Sequence, residues 1–237
     1  MLCKTIPTLG KDIITKRICK VSMKVWYKER LTHKYGGGLM DIILDMGNVL
    51  LEWNKDKILR AVSVSKSDYD LLNQALFESN LWLNLDTGTM ECEDVVAEVV
   101  LKIGKSYTRQ VEEIIFNWYH YIEIYTEVFP ILTRLKESGN RVFVLSNTSK
   151  VFYELLEKDL SPLKDLLNGF VISCDIKAIK PDRKMFEEIL RKYQLDPANC
   201  VFLDDIAYNT KMAETLGIKA YQVKQRSDVV DILKKFE

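Results

Sequence analysis

The sequence predicts an α/β fold, a doubly wound parallel sheet of five strands with a helical cap inserted after the first strand. From residue 40 onward, short apolar runs alternate with longer amphipathic segments, a pattern typical of buried parallel strands connected by helices. The first two apolar runs are separated by far more chain than an ordinary crossover requires, which indicates an inserted unit.

Five apolar runs have the length and composition of strands that are buried on both faces. The predicted strands are 41–45 (DIILD), 141–146 (RVFVLS), 170–173 (FVIS), 200–204 (CVFLD) and 218–223 (IKAYQV). Amphipathic stretches between and after them predict helices over 130–137, 150–158, 181–193, 209–216 and 227–236. This alternation is the pattern of a doubly wound core.

Residues 54–127 form the inserted unit. They carry no strong strand signal, and helical periodicity is present, for example, over 68–77 and 91–103. We therefore expect an all-helical cap over 54–127 that covers one end of the sheet. The α/β core would then consist of 40–53 and 128–237.

Residues 1–39 form a basic leader, with nine lysines and arginines against two acidic side chains. The rest of the chain carries 25 basic and 32 acidic side chains, a net charge of −7. Lysines interrupt the apolar stretches of the leader and no small-residue cleavage site follows them, so it does not have the pattern of a secretory signal. We favour a disordered tail or an artefactual extension, with Met40 as the natural start, over the alternative of a targeting segment.

The overall composition argues against several classes of protein. The formal net charge is zero and no apolar run approaches the roughly 18 residues of a membrane span, so we expect neither nucleic acid nor membrane as a partner. Five scattered cysteines without a CxxC pair, together with only two histidines, argue against a zinc cluster. We expect reduced thiols in a cytoplasmic protein.

Polar residues stand at the ends of the first two predicted strands. Asp45 ends the first strand, and Gly47-Asn48 follows it in a tight turn whose N–H groups can face an anion. Ser146 and Asn147 lie between the second strand and a helix, a position that suits phosphate. Each pattern alone is more typical of an ordinary turn or helix cap.

The third and fourth strand regions add a lysine and two carboxylates. Pro181 holds the preceding Lys180 in an extended backbone, a constraint that the rival Lys177 lacks. Asp204 and Asp205 close the fourth strand, and like charges about 4 Å apart cost on the order of 4 kcal/mol at an effective dielectric of about 20. These carboxylates therefore need protons, a lysine or a metal ion beside them.

The expected topology brings these strand ends together. In a doubly wound sheet, ligands bind beyond the carboxyl ends of the strands where the winding reverses. If the chain runs outward through three strands and then crosses to the fourth on the other side, the first and fourth strands flank that crevice. Asp45, Asp204 and Asp205 would then meet in one site.

The segments DMGNVL, VLSNT, IKP and FLDD, with Asn209 and Gly217 after the last, resemble in order the four signature motifs of the haloacid-dehalogenase (HAD) superfamily. The resemblance covers about residues 40–223. It looks closest to the subgroup of α-glucose-1-phosphate phosphatases and the phosphatase domains of epoxide hydrolases. It implies a HAD-like Rossmannoid core with a helical cap of the first type, and it leans toward a monomer.

The resemblance also implies a magnesium-dependent phosphatase in which Asp45 attacks phosphorus and forms an aspartyl-phosphate. Asp45, the backbone carbonyl of Gly47 and Asp205 would hold Mg²⁺, with waters completing the octahedron. Asp204 would support that site from beside it. The residues expected to bind phosphate are Asn48, Ser146, Asn147 and Lys180, and Lys180 is also expected to offset charge on the nucleophile.

Gly47 departs from the pattern, because many phosphatases of the superfamily carry a second aspartate there as general acid and base. Asp86 and Glu91 in the cap could replace it, although the sequence places neither of them. A missing general acid typically forfeits about 10²–10⁴ in rate.

Two alternative functions stay open. A 2-haloacid dehalogenase would also lack the second aspartate, and Arg60 could bind its halide. The Asp204-Asp205 pair argues against this alternative, because added negative charge helps a magnesium site and does not help halide departure. A catalytically silent sugar-phosphate-binding protein is the other alternative.

The cap is expected to select the substrate, a small phosphate ester. Trp53, Trp82, Trp118 and Tyr121 could stack on a sugar ring, although aromatic residues of a helical cap, like His120 beside them, are more often packed in its own core. The subgroup resemblance alone suggests a hexose phosphate such as glucose 1-phosphate.

Overall fold

The computed structural model describes residues 38–237. Most of the predicted basic leader lies outside the described residues. Residues 40–237 form one compact unit, and the division of this unit into core and cap stays a prediction. We keep the name cap for residues 54–127.

The described residues contain a sheet of five parallel strands in the order β3-β2-β1-β4-β5. The strands are β1 (Asp41–Leu44), β2 (Arg141–Ser146), β3 (Gly169–Ile172), β4 (Cys200–Asp204) and β5 (Lys219–Gln222). The chain runs outward from β1 through β2 to β3 and then returns to β4 on the other side of β1. The predicted doubly wound α/β fold is therefore confirmed.

Helices fill the long connection between β1 and β2 and then alternate with the strands. The first group is α1 (Lys55–Val62), α2 (Lys66–Leu76), α3 (Leu81–Asp86), α4 (Cys92–Ile103), α5 (Thr108–Asn117) and α6 (Phe129–Glu137). The helices after β2 are α7 (Val151–Glu157), α8 (Ser161–Lys164), α9 (Ser173–Ile176), α10 (Arg183–Tyr193), α11 (Ala207–Thr215) and α12 (Arg226–Leu233). Among residues 38–237, no helix combines the length and the apolar composition that a membrane crossing requires.

Several elements differ from the prediction at their ends. The helix predicted from residue 181 begins at Arg183, because the side chain of Asp182 accepts a hydrogen bond from the N–H of Lys184 (2.9 Å) and caps it. The strand predicted over 218–223 is shorter and is not buried as expected. It lies at the edge of the sheet, where Lys219 and Gln222 are exposed.

The central strand β1 is buried on both faces. Ile42 and Leu44 pack into one apolar cluster, and Ile43 packs into a second cluster on the opposite face, as the period-two alternation of a strand requires. All three side chains are fully buried, and burial of each stabilises the fold by about 1.5–3 kcal/mol. Strand β1 is therefore a firmly packed support for Asp45, which follows it.

The cap helices share the first apolar cluster with the sheet. Leu59 of α1, Leu72 of α2 and Val99 of α4 are fully buried in the cluster that also contains Ile42. The cap therefore has no separate apolar core of its own.

The two segments that join the cap to the sheet pair with each other. The N–H of Glu52 donates to the carbonyl of Glu123 (2.7 Å), and the N–H of Tyr125 donates to the carbonyl of Leu50 (2.9 Å). These bonds hold the entry and exit of the cap side by side, directly after the turn that contains Asp45.

Candidate active site

The carboxyl ends of β1, β2 and β4 meet at the reversal of the sheet. Asp45 directly follows β1, Ser146 ends β2 and Asp204 ends β4. Since β1 lies between β2 and β4, the three side chains border one crevice. Asp45, Ser146 and Asp205 also line the same cavity of about 360 Å³.

Lys180 links the carboxylates of two strands. Its Nζ lies 2.7 Å from Asp45 Oδ1 and 2.7 Å from Asp204 Oδ2, and it donates to the carbonyl of Leu145 at 2.8 Å. An ammonium group has three protons, so these acceptors engage all of them. A direct contact of Lys180 with phosphate therefore requires the exchange of one of these bonds.

Charge and burial work against each other in this cluster. Burial raises the pKa of Asp45 to about 7, an effect that the attraction of Lys180 opposes and the nearby Asp204 reinforces. Burial also disfavours the charged ammonium of Lys180, but Asp45 and Asp204 outweigh it, so the pKa of Lys180 lies above its ordinary value. Because burial and Asp204 both disfavour the carboxylate form of Asp45, an additional cation close to Asp45 would stabilise that form.

Asp204 is fully buried and is held at both oxygens. Its Oδ1 accepts from the N–H of Ile206 (2.8 Å), and the Asn209 amide donates to Oδ1 at 2.9 Å and to Oδ2 at 3.0 Å. With Lys180 also on Oδ2, Asp204 is an anchor for its neighbours. Asn209 follows it by five residues, and its own buried Oδ1 has no hydrogen-bond partner among the described residues.

Asp205 is positioned from the turn after β1. The Asn48 amide donates to Asp205 Oδ2 (2.9 Å), while Asn48 Oδ1 accepts from the N–H of Trp53 (3.0 Å). Asn48 has a φ of 55°, a left-handed conformation in which asparagine is enriched. Burial raises the pKa of Asp205. The Asn48 side chain, predicted to bind phosphate, is thus engaged in orienting Asp205.

Ser146 and Asn147 differ in their surroundings. Ser146 is buried at the end of β2 and lines the cavity. Asn147 clamps the backbone of Lys180, since its Nδ2 donates to the carbonyl of Lys180 (3.1 Å) and its Oδ1 accepts from the N–H of Lys180 (2.7 Å). Lys177, the rival lysine, is exposed on the surface.

The three carboxylates could share one cation. One oxygen from each of Asp45, Asp204 and Asp205 lies within 4.8 Å of the others. Carboxylate and carbonyl oxygens are the ligands that Mg²⁺ prefers. The unpartnered Oδ1 of Asn209 is a further oxygen at the same cavity, so the donor set fits a hard divalent ion.

Aromatic residues form the cap side of the cavity. The ring centroids of Trp53 and Trp82 lie 5.2 Å apart, those of Trp53 and Trp118 lie 5.2 Å apart, and those of Phe77 and Trp82 lie 4.7 Å apart. All four residues line the cavity. Phe77, which directly follows α2, was not predicted as a site residue, because its position at the end of a helical pattern gave no signal of its own.

Other residues named from the sequence lie in different places. Arg60 borders a separate surface cavity with Ser63 and Lys66. Tyr121 donates from its hydroxyl to Glu113 (2.7 Å) in the cap. The His120 ring lies against Tyr119 with the ring centroids 4.5 Å apart. Neither Tyr121 nor His120 is among the described residues that line the cavity.

Ser173 connects the sheet to the cap, a role that was not predicted from the sequence. Its hydroxyl accepts from the N–H of Thr148 (2.8 Å) after β2 and donates to the backbone carbonyl of Asp86 in the cap. Its only signal in the sequence was a polar side chain at the end of an apolar run. The bond to Asp86 fixes the end of α3 against the sheet.

Comparison with known proteins identifies the family. The family model of haloacid dehalogenase-like hydrolases matches residues 37–217. D-ribitol-5-phosphate phosphatase of Bacteroides thetaiotaomicron is 20% identical over 80% of this chain and 94% of its own. A sesquiterpene phosphatase of Aspergillus oryzae is 24% identical over 74% of this chain and 85% of its own.

Solved structures share the fold. A HAD-family enzyme of Bacteroides thetaiotaomicron, crystallised with magnesium and inorganic phosphate, superposes with a TM-score of 0.68 at 22% identity, over 78% of this chain and 94% of that one. A predicted HAD-like hydrolase of Porphyromonas gingivalis gives a TM-score of 0.68 at 24% identity, over 83% and 97% of the two chains. Because the family model spans most of its length, this chain belongs to the haloacid dehalogenase-like hydrolases.

Proposed function

We propose that the protein is a magnesium-dependent phosphatase that hydrolyses a small phosphate monoester through an aspartyl-phosphate on Asp45. The observation that carries this proposal is the cluster of Asp45, Asp204 and Asp205 around Lys180 at the reversal of the sheet. Relatives named as phosphatases, including those that act on D-ribitol 5-phosphate and on sesquiterpenes, support the reaction class.

Asp45, Asp205 and the backbone carbonyl of Gly47 would hold Mg²⁺. We assign Asp204 a supporting role, because its two oxygens already accept bonds from Ile206, Asn209 and Lys180. When bound, the ion supplies positive charge that offsets the repulsion between the carboxylate and the phosphate. The positive charge of Lys180, 2.7 Å from Asp45 Oδ1, contributes to the same end.

Asp45 is the nucleophile in this proposal. Its Oδ1 is occupied by Lys180 and by the N–H of Met46 (2.7 Å), which leaves Oδ2 for attack on phosphorus. Attack breaks the ester bond and leaves the phosphoryl group on Asp45. Water then attacks the phosphorus, and inorganic phosphate departs with restoration of the carboxylate.

The aromatic side of the cavity suits a substrate with an apolar face. Trp53 and Trp82 line the cavity that Asp45 also borders, and a sugar ring can stack its C–H face on such aromatic surfaces. We therefore keep a sugar phosphate such as glucose 1-phosphate as the proposed substrate.

The arrangement favours the phosphatase over the dehalogenase alternative. Arg60, the residue considered for halide binding, borders another cavity. Asp205 adds negative charge beside Asp45, which would hinder the departure of a halide and helps to bind a divalent cation.

Phosphate release from a panel of monoesters tests the proposal. We expect release from hexose 1- or 6-phosphates with Mg²⁺, loss of release with EDTA, and loss in Asp45→Asn. Asp70→Asn is the control, because this carboxylate is exposed and paired with Lys66 away from the cavity. Absence of release from every ester would contradict the proposal. Sugar-phosphate binding without release would instead support the silent binding protein.

A further inference from the structure

The position of Gly47 creates a need for a proton donor elsewhere. A Cβ atom added to Gly47 would lie 3.3 Å from the Cβ of Trp53, so Trp53 takes part of the space that a larger side chain would need. The leaving oxygen of an unactivated ester requires a proton, and a positioned acid typically contributes about 10²–10⁴ in rate. The donor must therefore come from another element that borders the cavity.

Asp86 is a carboxylate of the cap that borders the same cavity as Asp45. It is the last residue of α3, and its backbone carbonyl accepts a hydrogen bond from the Ser173 hydroxyl. Glu91, the other acid considered in the cap, is exposed and paired with Lys150 at 2.8 Å. Only Asp86 of these two acids lines the cavity.

The loop after α3 packs closely against the backbone of α9 at Gly88. Gly88 has a φ of +63°, and a Cβ atom at this position would lie 2.1 Å from the carbonyl oxygen of Cys174. Only glycine permits this approach. Together with the bond from Ser173, which itself accepts from the N–H of Thr148 (2.8 Å), the contact holds Asp86 at a set position relative to β2 and β3.

The environment of Asp86 suits a group that both gives and takes a proton near neutral pH. Burial raises the pKa of Asp86 to about 7, with a weaker opposing effect of the Trp82 side chain. The charged groups that share its cavity are Asp45, Lys55, Lys180 and Asp205. The Cys174 thiol faces it from α9 and stays protonated, because burial raises the pKa of that thiol to about 12.

We propose that Asp86 is the acid and base that the cap supplies to the reaction. As the bond between phosphorus and the ester oxygen breaks, the protonated carboxyl of Asp86 gives its proton to that oxygen, and the alcohol leaves. The resulting carboxylate then takes a proton from the water that attacks the phosphoryl group on Asp45, which returns both residues to their starting states. This assignment rests on the proposed phosphatase activity and adds a cap residue to its catalytic groups.

The dependence on the leaving group tests the assignment. We expect Asp86→Asn to lower turnover of an alkyl phosphate by about 10²–10⁴ and to change turnover of p-nitrophenyl phosphate by less than about 10-fold, because a nitrophenolate leaves without a proton from the enzyme. Retained hydrolysis of the nitrophenyl ester also shows that the variant is folded. Asp86→Glu keeps the carboxyl group, and we expect it to recover part of the alkyl turnover.

Glu91→Gln is the matched control, with wild-type rates expected on both esters. Equal losses on the two esters in Asp86→Asn, or unchanged turnover of the alkyl ester, would overturn the assignment. If the wild-type protein hydrolyses neither ester, the phosphatase proposal itself fails and the role of Asp86 falls with it. The two failures are therefore distinguishable. If only the role of Asp86 is wrong, the wild-type protein still hydrolyses the esters; if the proposed function is wrong, it hydrolyses neither.

Discussion

Lys180 holds two buried carboxylates from different strands at one point. Its position before Pro181 was evident in the sequence, but its ion pairs with Asp45 and Asp204 depend on how separate strands meet. The same is true of Asn48, whose orientation of Asp205 (2.9 Å) spans a large separation in the chain. The residue types at the strand ends therefore predicted which residues belong to the site. Their contacts with one another could not be predicted, because these contacts depend on how the strands are arranged in the folded sheet.

Replacement of Lys180 by methionine should destabilise the protein strongly. The change leaves Asp45 and Asp204 buried without their cation, and removal of one partner of a buried pair typically costs about 3–5 kcal/mol. Chemical denaturation at pH 7.5 measures the loss. Part of it should be recovered as pH falls, because protonation of Asp45 removes its repulsion with Asp204. Lys177→Met, at an exposed neighbour, should change little, and similar losses in both variants would contradict this account.

Asp86 should make stability depend on pH. Because burial raises its folded-state pKa from 3.8 to about 7, the folded protein binds more protons than the unfolded chain between these values. This group's contribution to stability is therefore present at low pH and is lost as pH rises toward and through 7. Asp86→Asn removes that loss.

We expect the melting temperature of Asp86→Asn, relative to that of the wild type, to rise between pH 5 and pH 8. Thermal unfolding at several pH values measures the difference. Asp70→Asn serves as the exposed control. A constant difference across the range would show that Asp86 keeps an ordinary pKa.

At the scale of elements, apolar runs predicted the five strands of the described sheet, and for β1 to β4 the reason is that buried parallel strands need hydrophobic side chains. The exposed edge position of β5 was not predicted. Helix ends were less predictable, because a cap such as Asp182 for α10 depends on local hydrogen bonds. The contact of the loop after α3 with α9 had no signal beyond a glycine at position 88, whose requirement comes from the Cys174 backbone.

Gly88→Ala should damage this contact between elements. The new Cβ atom would overlap the carbonyl of Cys174, and the backbone conformation at φ +63° is itself unfavourable for alanine. We expect a loss of about 2 kcal/mol or more in unfolding free energy. Gly217→Ala is the matched control, because its φ is also positive, at +83°, but its Cβ would meet only Pro197 Cβ at an ordinary contact distance of 3.7 Å. Equal losses would mean that the contact with α9 contributes nothing.

At the scale of the whole molecule, alternation of strands and helices predicted the doubly wound sheet and the crevice at its reversal. How the cap closes that crevice could not be predicted, because it depends on contacts such as that between Ser173 and Asp86, which are 87 residues apart. The placement of Trp53, Trp82 and Trp118 in the cavity wall could not be predicted for the same reason, because it also depends on contacts between distant parts of the chain.

Magnesium should stabilise the entire unit. A ligand that binds only the folded state adds about 2.7 kcal/mol at a concentration 100 times its dissociation constant. We expect Mg²⁺ with inorganic phosphate to raise the melting temperature of the wild-type protein and to have a much smaller effect on Asp205→Asn. Glu91→Gln should respond as the wild type does, and an equal response of all three proteins would place the ion elsewhere.

The covalent intermediate tests the central claim most directly. Wild-type protein would be mixed with a phosphorus-labelled hexose phosphate and Mg²⁺, quenched in acid during turnover, and digested for mass spectrometry. We expect label on the peptide that contains Asp45, sensitive to hydroxylamine as an acyl-phosphate is, and absent with EDTA or in Asp45→Asn. Label on another residue, or magnesium-dependent phosphate release that persists in Asp45→Asn, would contradict it.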